Sequence, residues 1–409
     1  MTTTPRAEGL PAADASARLG LAAAVALALL LPLSACDDWT PQHLSPYPNP
    51  FGPGDEGWAP QPHRDNPLEL LTTPDGRIWV TLQGSPDEPG RHVAVVDGET
   101  VTRIAVGSGP TGLALHPSGR WIVVCNRFSN YLSVIDVQRT EEVRRLPIDY
   151  YATEPAFTPD GTELWLTNRW RDAVQVLGVR STPTALVVDW EAAPIPVGTN
   201  PRDLVISDDG TTVAVASLTA TTVSLIDRAL RYETRRLELG APANDVAIVG
   251  ENLIVATLSA STHHFPFAGP DTDGDGQPGD GTPNLNFADL QNELAVFDLR
   301  TGDPLHRYTS DTICCRDYRD VRPEDAARHG DLLPPRDTWI VGGSLPEQLA
   351  VDGQRLWVSY SASDELQRFD VDPTTGALSP GPVVPAGGHN PHGLVVTDDG
   401  LVVAHRLGE

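Results

Sequence analysis

Residues 109–137 read GPTGLALHPSGRWIVVCNRFSNYLSVIDV, and this stretch contains the pattern that decides the fold. A start that contains Pro leads into a short apolar strand, a turn that ends in Gly, a second apolar strand, a loop and a third strand. The PSG turn is typical of a hairpin, because Gly supplies the positive φ that such a turn needs. The run WIVVC is short and rich in β-branched residues, which indicates a strand buried on both faces.

The same pattern occurs seven times along the chain of 409 residues. We identify each copy by a proline near its start, at positions 67, 110, 155, 201, 242, 346 and 391. The intervals are 43, 45, 46, 41, 104 and 45 residues. A period near 44 without any amphipathic helix is typical of a four-stranded propeller blade. The sequence predicts an all-β fold, a seven-bladed β-propeller of four-stranded antiparallel blades over residues 66–409. Its seventh blade is incomplete, since the chain reaches Glu409 where a third strand should begin.

The repeat resembles the YVTN-type β-propeller repeat of bacterial surface and periplasmic proteins, most clearly in VVCNRFSNYLSVIDV (residues 123–137). The resemblance extends from about residue 66 to the end of the chain. It implies a propeller but no particular activity, because propellers host unrelated functions. Propellers of this type can continue into a c-type cytochrome domain similar to di-haem peroxidases. The incomplete seventh blade means that either the ring closes irregularly or the chain is truncated relative to a longer protein, and we favour truncation.

Residues 1–35 are interpreted as a lipoprotein signal peptide. The apolar run at 19–33 is too short to span a membrane, and the motif LSAC follows at 33–36. LSAC resembles the lipobox of bacterial lipoproteins, which implies that Cys36 is the lipidated first residue of the mature protein; the alternative is an ordinary signal peptide followed by an unrelated Cys. Several acyl chains anchor a protein stably, so we expect the cell envelope, on the periplasmic or outer-surface side of a bacterial membrane. Residues 36–65 are Pro-rich and predict a tether.

The long interval places additional residues in the fifth blade, as loops over about 263–292 and 310–337. Loops of this length in a compact repeat are functional or disordered. The segment DTDGDGQPGD, residues 271–280, matches the first half of a calcium loop, with oxygen ligands at alternate positions and Gly at the bend. Thr282 stands where an EF-hand has its bidentate Glu, which leaves a solvated acidic loop as the alternative. The sequence predicts a structural calcium site with the ligands Asp271, Asp273, Asp275 and Asp280.

The cysteines do not form any haem or zinc motif, because neither CxxCH nor a CxxC pair occurs. We therefore predict no covalent haem in this chain. Cys314 and Cys315 are adjacent, and in an oxidising compartment they can form a strained vicinal disulfide. The alternative is two free or separately buried thiols.

Three arginines follow second strands at corresponding places, Arg127 in CNRFSN, Arg169 in TNRWRD and Arg406 in AHRLGE. Repeat symmetry predicts that they face the central channel, where a basic ring suits an anionic ligand or a partner's carboxylates. The alternative is exposed arginines paired with acidic neighbours. His389 and His392, in HNPHG, are candidates for the same surface. A copper or haem-edge site from these two with His263, His264 and His405 is a further alternative to ordinary packed or solvated histidines.

The composition narrows the function. A formal charge of −26 at pH 7 argues against nucleic acid as a partner. No GxSxG elbow, HExxH pair or Gly-rich phosphate loop before a helix occurs. We therefore favour a binding scaffold over an enzyme: a lipid-anchored monomer that recognises a protein or a small anionic ligand. The alternatives are the propeller portion of, or a partner to, a di-haem cytochrome c peroxidase-like redox protein, a metal-dependent or lactonase-like propeller enzyme, and a purely structural surface protein.

Overall fold

The computed structural model describes residues 61–62, 65–85, 87–190, 193–239, 241–261, 289–313, 345–361 and 364–408. Several sequence predictions fall outside these residues: the signal peptide, Cys36, the calcium ligands Asp271, Asp273, Asp275 and Asp280, the pair Cys314 and Cys315, and His263 and His264. They stay predictions. No helix long and apolar enough to cross a membrane occurs within the described ranges.

Six antiparallel sheets of four consecutive strands follow one another along the chain, and we number them blades 1 to 6. Blade 1 consists of β2 (Pro67–Thr72), β3 (Ile78–Gly84), β4 (Pro89–Asp97) and β5 (Thr100–Ala105). Blade 2 consists of β6 (Pro110–Leu115), β7 (Trp121–Asn126), β8 (Tyr131–Asp136) and β9 (Glu141–Pro147). Blade 3 consists of β10 (Ala152–Phe157), β11 (Glu163–Asn168), β12 (Ala173–Ser181) and β13 (Leu186–Trp190), and the short β14 (Ile195–Pro196) also pairs with β12.

Blades 4 to 6 repeat this order. Blade 4 consists of β15 (Pro201–Ile206), β16 (Thr212–Ser217), β17 (Thr222–Asp227) and β18 (Tyr232–Glu238). Blade 5 consists of β19 (Ala243–Val249), β20 (Asn252–Ser261), β21 (Asp289–Asp298) and β22 (Pro304–Ile313). Blade 6 consists of β23 (Pro346–Asp352), β24 (Arg355–Tyr360), β25 (Glu365–Val371) and β26 (Leu378–Pro385).

A three-stranded sheet follows blade 6, and we call it the terminal sheet. It contains β27 (His389–Thr397), β28 (Gly400–Gly408) and β1 (Gln61–Pro62), in the order β1-β28-β27. The third strand thus comes from the segment that the sequence predicted to be a tether. Pro62 is compatible with this place because β1 is an edge strand, where a missing N–H breaks no ladder. The sequence predicted seven blades, whereas the described residues form six four-stranded blades and this three-stranded sheet.

The first strands of all seven sheets contact one another in a closed ring, in the order β2, β6, β10, β15, β19, β23, β27 and back to β2. The prediction of an all-β propeller with four-stranded antiparallel blades is therefore confirmed. The core lies between the faces of neighbouring blades. Between blades 2 and 3, for example, Trp121 and Leu132 pack with Leu164, Leu166 and Leu177, all of them buried. This packing fixes the inner strands that carry the site.

Two details of the repeat differ from the sequence prediction. In blade 3, Ala152 and not Pro155 occupies the position of Pro67 in blade 1, and Pro155 lies after the register shift. In blade 5 the equivalent residue is Ala243, which follows Pro242. A Pro near the strand start is tolerated at several neighbouring positions, so proline spacing alone does not align the blades.

The hairpin of blade 5 is longer than predicted. β20 and β21 pair from Asn252 and Asp298 out to Ser261 and Asp289. The sequence predicted loops over 263–292 and 310–337, but β21 already begins at Asp289 and β22 continues to Ile313. These outer residues lack a clear apolar alternation, and the ladder with β20 accounts for the extension.

Candidate functional site

Each of the seven inner strands has a register shift close to its start, typical of a β-bulge. A bulge bends the strand and changes where its side chains point. Two residues at each bulge therefore meet near the centre of the ring. These bulge pairs are Leu68–Glu69, Thr111–Gly112, Thr153–Glu154, Arg202–Asp203, Asn244–Asp245, Glu347–Gln348 and His392–Gly393.

A cavity of about 180 Å³ opens at this centre. Bulge residues from five sheets line it, among them Glu69, Glu154, Arg202 and His392. The other lining residues lie near the ends of second strands, Gln83 in β3 and Arg406 in β28, or directly after them, Arg127 and Arg169. The structure thus brings together the three arginines singled out from the repeat and one of the two candidate histidines. We call Arg127, Arg169 and Arg406 the arginine triad.

Each arginine of the triad is held by a neutral acceptor. Arg169 Nε donates to Asn200 Oδ1 at 2.5 Å, and Arg406 Nε donates to Asn66 Oδ1 at 3.1 Å. Among the residues that the structure describes, no acceptor lies within hydrogen-bond distance of the Nη groups of Arg169 or Arg406. No described carboxylate forms an ion pair with either one. Most of their donor capacity therefore has no protein partner among the described residues.

Arg127 is held by aromatic rings. Its guanidinium lies 5.2 Å from the ring centre of Phe128 and 4.7 Å from that of Tyr151, and Nη2 donates to the Tyr151 hydroxyl. Its Nε is buried without a hydrogen-bond partner among the described atoms. Cation–π contacts hold the charge in place without neutralising it.

Mutual repulsion in the triad is visible in the pKa values. Burial lowers the pKa of Arg169 and of Arg406. Tyr151 opposes this shift in Arg169 and the negative charge of Glu347 opposes it in Arg406, whereas the positive charges of Arg127 and Arg202 lower both values further. A guanidinium stays protonated under any ordinary condition. The site therefore carries positive charge that is only partly compensated and that an anion would stabilise.

Arg202 is the one cavity arginine with a carboxylate partner. Its Nη2 lies 2.5 Å from Glu347 Oε2, and its Nη1 donates to Asn244 Oδ1 at 3.4 Å. Burial is the largest influence and alone would raise the pKa of Glu347, but the charges of Arg202 and Arg406, the Arg202 hydrogen bond and the nearby His392 together lower it. His392 Nε2 also lies 3.4 Å from Glu347 Oε2. Burial lowers the pKa of His392 to about 4, so the imidazole is neutral at pH 7 and Arg202 is the counter-charge of Glu347.

Four further carboxyl groups belong to the bulge pairs, those of Glu69, Glu154, Asp203 and Asp245. Burial raises the pKa of Glu69 to about 7 and raises that of Glu154 well above its ordinary value, and each carboxyl is raised further by acidic neighbours. Asp203 and Asp245 hydrogen-bond to each other, and burial raises the pKa of both. Two buried carboxyls in contact share a proton, because both cannot ionise together. The site thus combines guanidinium groups with buried carboxyl groups whose pKa values are raised.

Hydroxyl groups of the second strands position these acids. The hydroxyls of Thr81 and Thr167 accept the backbone N–H of Glu69 and Glu154, each at 3.0 Å, and Ser359 does the same for Gln348 at 3.1 Å. These contacts satisfy N–H groups that the bulge removes from the ladder.

Gly112 leaves the room that Glu154 needs. A Cβ at this position would lie 2.4 Å from Glu154 Oε2. The absence of a side chain is therefore a steric requirement of the cavity wall.

Of the other candidate histidines, His389 and His405 belong to the described residues, and His405 is not part of the cavity lining. His405 Nε2 lies 3.1 Å from the Ala386 carbonyl oxygen, and the backbone of His389 pairs with Leu407 in the terminal sheet. Within the described part of the chain, no group of three or more His, Cys, Asp or Glu is arranged to hold a metal ion. Cys125 is buried, and burial raises its thiol pKa well above the ordinary value, so it is an inert core residue.

The sequence reasoning missed the acids and Arg202. Glu69, Glu154, Asp203 and Glu347 lie one or two residues after the first position of their inner strands. Among these four strands the alignment on strand starts differs from the proline alignment only in blade 3, where it brings Glu154 to the position of Glu69 and Asp203. That clustering of charge at one level of the ring was the available signal.

Comparison with known proteins supports the fold alone. No protein-family model matches the chain, and no curated protein matches it by sequence. The resemblance to YVTN-type repeats therefore stays a prediction. Hydrazine synthase of Kuenenia stuttgartiensis is similar in structure, with a TM-score of 0.61 and 18% identity over 86% of this chain and 96% of that chain.

Two further structures are similar to a comparable degree. The periplasmic gluconolactonase of Pseudomonas aeruginosa gives a TM-score of 0.53 and 17% identity, covering 84% of this chain and 90% of that chain. A chain of the mitotic checkpoint complex gives a TM-score of 0.57 and 12% identity, covering 88% of this chain and 93% of that chain. At these identities the likeness shows the β-propeller fold alone and carries no information about activity.

Proposed function

We propose that this protein is a propeller-based binding scaffold whose central cavity binds a small anion. The observation that carries the proposal is the arginine triad: three guanidinium groups from three different sheets line one cavity and form no ion pair with any described carboxylate. Positive charges around one cavity repel one another, so this arrangement is electrostatically unfavourable in the empty protein. A carboxylate, sulfate or phosphate group would offset that cost and accept several charge-assisted hydrogen bonds.

Sulfate and acetate are suitable first probes, with binding measured by isothermal titration calorimetry. Arg169→Ala removes one charge-assisted contact, which is worth about 1.5–3 kcal/mol, so we expect the affinity to fall by about 10- to 150-fold. Arg406→Ala should act similarly. The matched control is Arg180→Ala, because Arg180 is 76% exposed near the end of β12, outside the cavity lining, and pairs with Asp189 at 3.5 Å. If neither probe binds the unaltered protein, or if all three variants bind equally, the proposal is wrong.

The terminal sheet is part of this proposal as the seventh blade. Support comes from β27, which contacts both β23 and β2 and carries His392 and Gly393 at the bulge position of the ring. On this basis the repeat is seven-fold, as the resemblance to YVTN-type repeats implies. Deletion of residues 389–409 should then open the ring and lower the midpoint of thermal unfolding, whereas an unchanged midpoint would count against a seventh blade.

The location of the scaffold follows from the motif LSAC. We propose that Cys36 is lipidated and anchors the protein at the periplasmic or outer-surface side of a bacterial membrane. Fatty-acid labelling in cells should mark the unaltered chain and not Cys36→Ala. Release of unaltered protein into the soluble fraction without label would contradict the anchor.

The segment 271–280 is proposed as a structural calcium site that orders the fifth-blade insertion. Calcium addition should protect the insertion from proteolysis, and replacement of Asp271 and Asp273 by Asn should abolish that protection. Equal proteolysis with calcium and with a chelator would favour the solvated-loop alternative.

We also propose that the protein is a monomer, and light scattering would test its oligomeric state.

A second candidate function is an acid–base enzyme that acts on an anionic substrate. The observation that favours it is Glu69, a carboxyl with a pKa of about 7 on the cavity wall, 3.8 Å from the neutral ring of His392. A general acid or base is most effective when its pKa is close to the working pH. Turnover of an ester or lactone panel that Glu69→Gln abolishes would support this candidate, and haem or copper in the purified protein would instead favour the redox alternative.

A further inference from the structure

A pair of exposed aromatic rings lies beside the cavity. Trp170 is 76% exposed, which makes it the most exposed large hydrophobic residue in the described chain, and Tyr150 is 43% exposed. Their ring centres are 6.5 Å apart with an interplanar angle of 76°. We call these two residues the aromatic platform. An indole that is exposed to water beside a charged cavity does not contribute to the hydrophobic core.

The platform is continuous with the arginine triad. The ring centres of Tyr150 and Tyr151 are 5.6 Å apart, and Tyr151 packs on the guanidinium of Arg127 at 4.7 Å. On the other side, Trp170 directly follows Arg169, which lines the cavity. The platform itself is outside the cavity lining. It therefore forms a second surface that a ligand seated in the cavity reaches when it extends outward.

Buried contacts hold the platform in place before any ligand binds. Asn168 is fully buried, and its Oδ1 accepts the backbone N–H of Trp170 at 3.1 Å and of Arg171 at 2.9 Å. Its Nδ2 donates to the Tyr150 carbonyl oxygen at 3.2 Å. One side chain thus ties the Trp170 loop to the Tyr150 loop. Such preorganisation lowers the entropy lost on binding.

Tyr151, whose ring lies between Tyr150 and Arg127, has an unfavourable backbone conformation. Tyr151 has a φ of 70°, where the matching residues of other sheets are mostly Asn or Gly, such as Asn66, Gly109 and Asn200. A bulky residue in this conformation is an outlier that the surroundings must enforce. The ring gained there is the one that links Tyr150 to Arg127.

We infer that the cavity and the aromatic platform together bind an acidic oligosaccharide, with the acid group of one sugar at the arginine triad and the adjoining sugar ring on Trp170. This inference rests on the proposed anion site. The cavity wall presents guanidinium donors beside carboxyl groups such as Glu69 and Glu154, which suits a ligand that has both a carboxylate and hydroxyl groups. An anion without hydroxyl groups would leave those acids without a hydrogen-bond partner from the ligand.

The platform matches the second sugar. The C–H face of a pyranose ring is apolar and flat, and it packs on an exposed indole without desolvating any hydroxyl. Tyrosine offers the same apolar face with a polar tip. Both rings are exposed while the triad is recessed, so a monosaccharide acid would contact the triad and a disaccharide acid would contact both surfaces.

Galacturonate and digalacturonate are the probes, with dissociation constants measured by calorimetry on the same purified chain. We expect the unaltered protein to bind digalacturonate about tenfold more tightly than galacturonate, the size of one good ring contact. Trp170→Ala should erase this advantage and leave galacturonate binding unchanged. Trp170→Phe should keep part of it. Tyr232→Ala is the matched control, because Tyr232 is an exposed aromatic (52%) on the outer strand β18 and should not affect either ligand.

The outcomes separate this inference from the proposed function. If galacturonate binds but digalacturonate binds no more tightly, or if Trp170→Ala keeps the advantage, the anion site stands and the oligosaccharide inference is overturned; a protein partner would then be the better occupant of the platform. If neither galacturonate nor sulfate binds, both are overturned.

Discussion

Anion binding at the cavity should take up a proton at Glu69, and this gives the proposal a sharp pH dependence. Burial raises the pKa of Glu69 to about 7, and the carboxyl shares the cavity with the arginine triad. When Glu69 is ionised, its charge opposes an incoming anion. When it is protonated, the positive charge of the triad acts without that opposition. Anion affinity should therefore rise as the pH falls through 7.

The magnitude follows from simple electrostatics. Two like charges at roughly 5 Å repel by about 3 kcal/mol at an effective dielectric constant of about 20, which is more than a hundredfold in affinity. Only the protonated form then binds appreciably. With a pKa of about 7, about nine carboxyls in ten are protonated at pH 6 and about one in ten at pH 8. The affinity should thus fall by about tenfold from pH 6 to pH 8.

Sulfate is the appropriate ligand for this assay, because it does not titrate in this range and neither do the arginines. Calorimetry in buffers with different heats of ionisation reports the proton taken up, and we expect about half a proton per sulfate at pH 7. Glu69→Gln should remove both the uptake and the pH dependence, and it should bind sulfate at pH 8 as tightly as the unaltered protein does at pH 6. A flat affinity between pH 6 and pH 8 in the unaltered protein would refute the reasoning.

Three further predictions concern stability and the cavity wall. The pKa of Glu69 is raised from 4.5 to about 7, so the folded state favours the protonated carboxyl. The contribution of Glu69 to the free energy of unfolding is fully present below pH 4.5, and about 3 kcal/mol of it is lost as the pH rises to 7. Denaturant unfolding should show that this loss is absent in Glu69→Gln. Gly112→Ala places a Cβ against Glu154, which should lower the free energy of unfolding by about 1–3 kcal/mol and weaken sulfate binding, whereas unchanged stability would mean that the wall yields. Tyr151→Phe removes the hydroxyl that accepts from Arg127 but keeps the ring, so sulfate affinity should change by less than in Arg169→Ala; an equal loss would show that the hydroxyl, not the ring, positions Arg127.

Repeat symmetry was sufficient to predict the fold class and to group three arginines. Arg127 and Arg169 directly follow second strands and Arg406 lies near the end of one, β28, and similar places in a closed ring lie at similar radius. That reasoning needs only the spacing, which is why Arg127, Arg169 and Arg406 could be selected without coordinates. Their role in binding stays a prediction.

The acids of the cavity could not be selected in the same way. Glu69 and Glu154 look like ordinary solvent-facing residues at a strand start, and the bulge that turns them inward leaves no mark in the residue types. Proline spacing also misaligned blade 3, since Pro155 lies beyond the bulge and Ala152 is the true counterpart of Pro67. The strand Gln61–Pro62 was missed because a two-residue edge strand has no periodicity to read.

The most direct test of anion binding at the arginine triad is the position of a heavy anion in a crystal of this protein soaked in selenate. We predict an anomalous peak in the central cavity, within hydrogen-bond distance of the guanidinium groups of Arg127, Arg169 and Arg406. A cavity without an anomalous peak, with the three arginines turned away or paired with carboxylates, would contradict it.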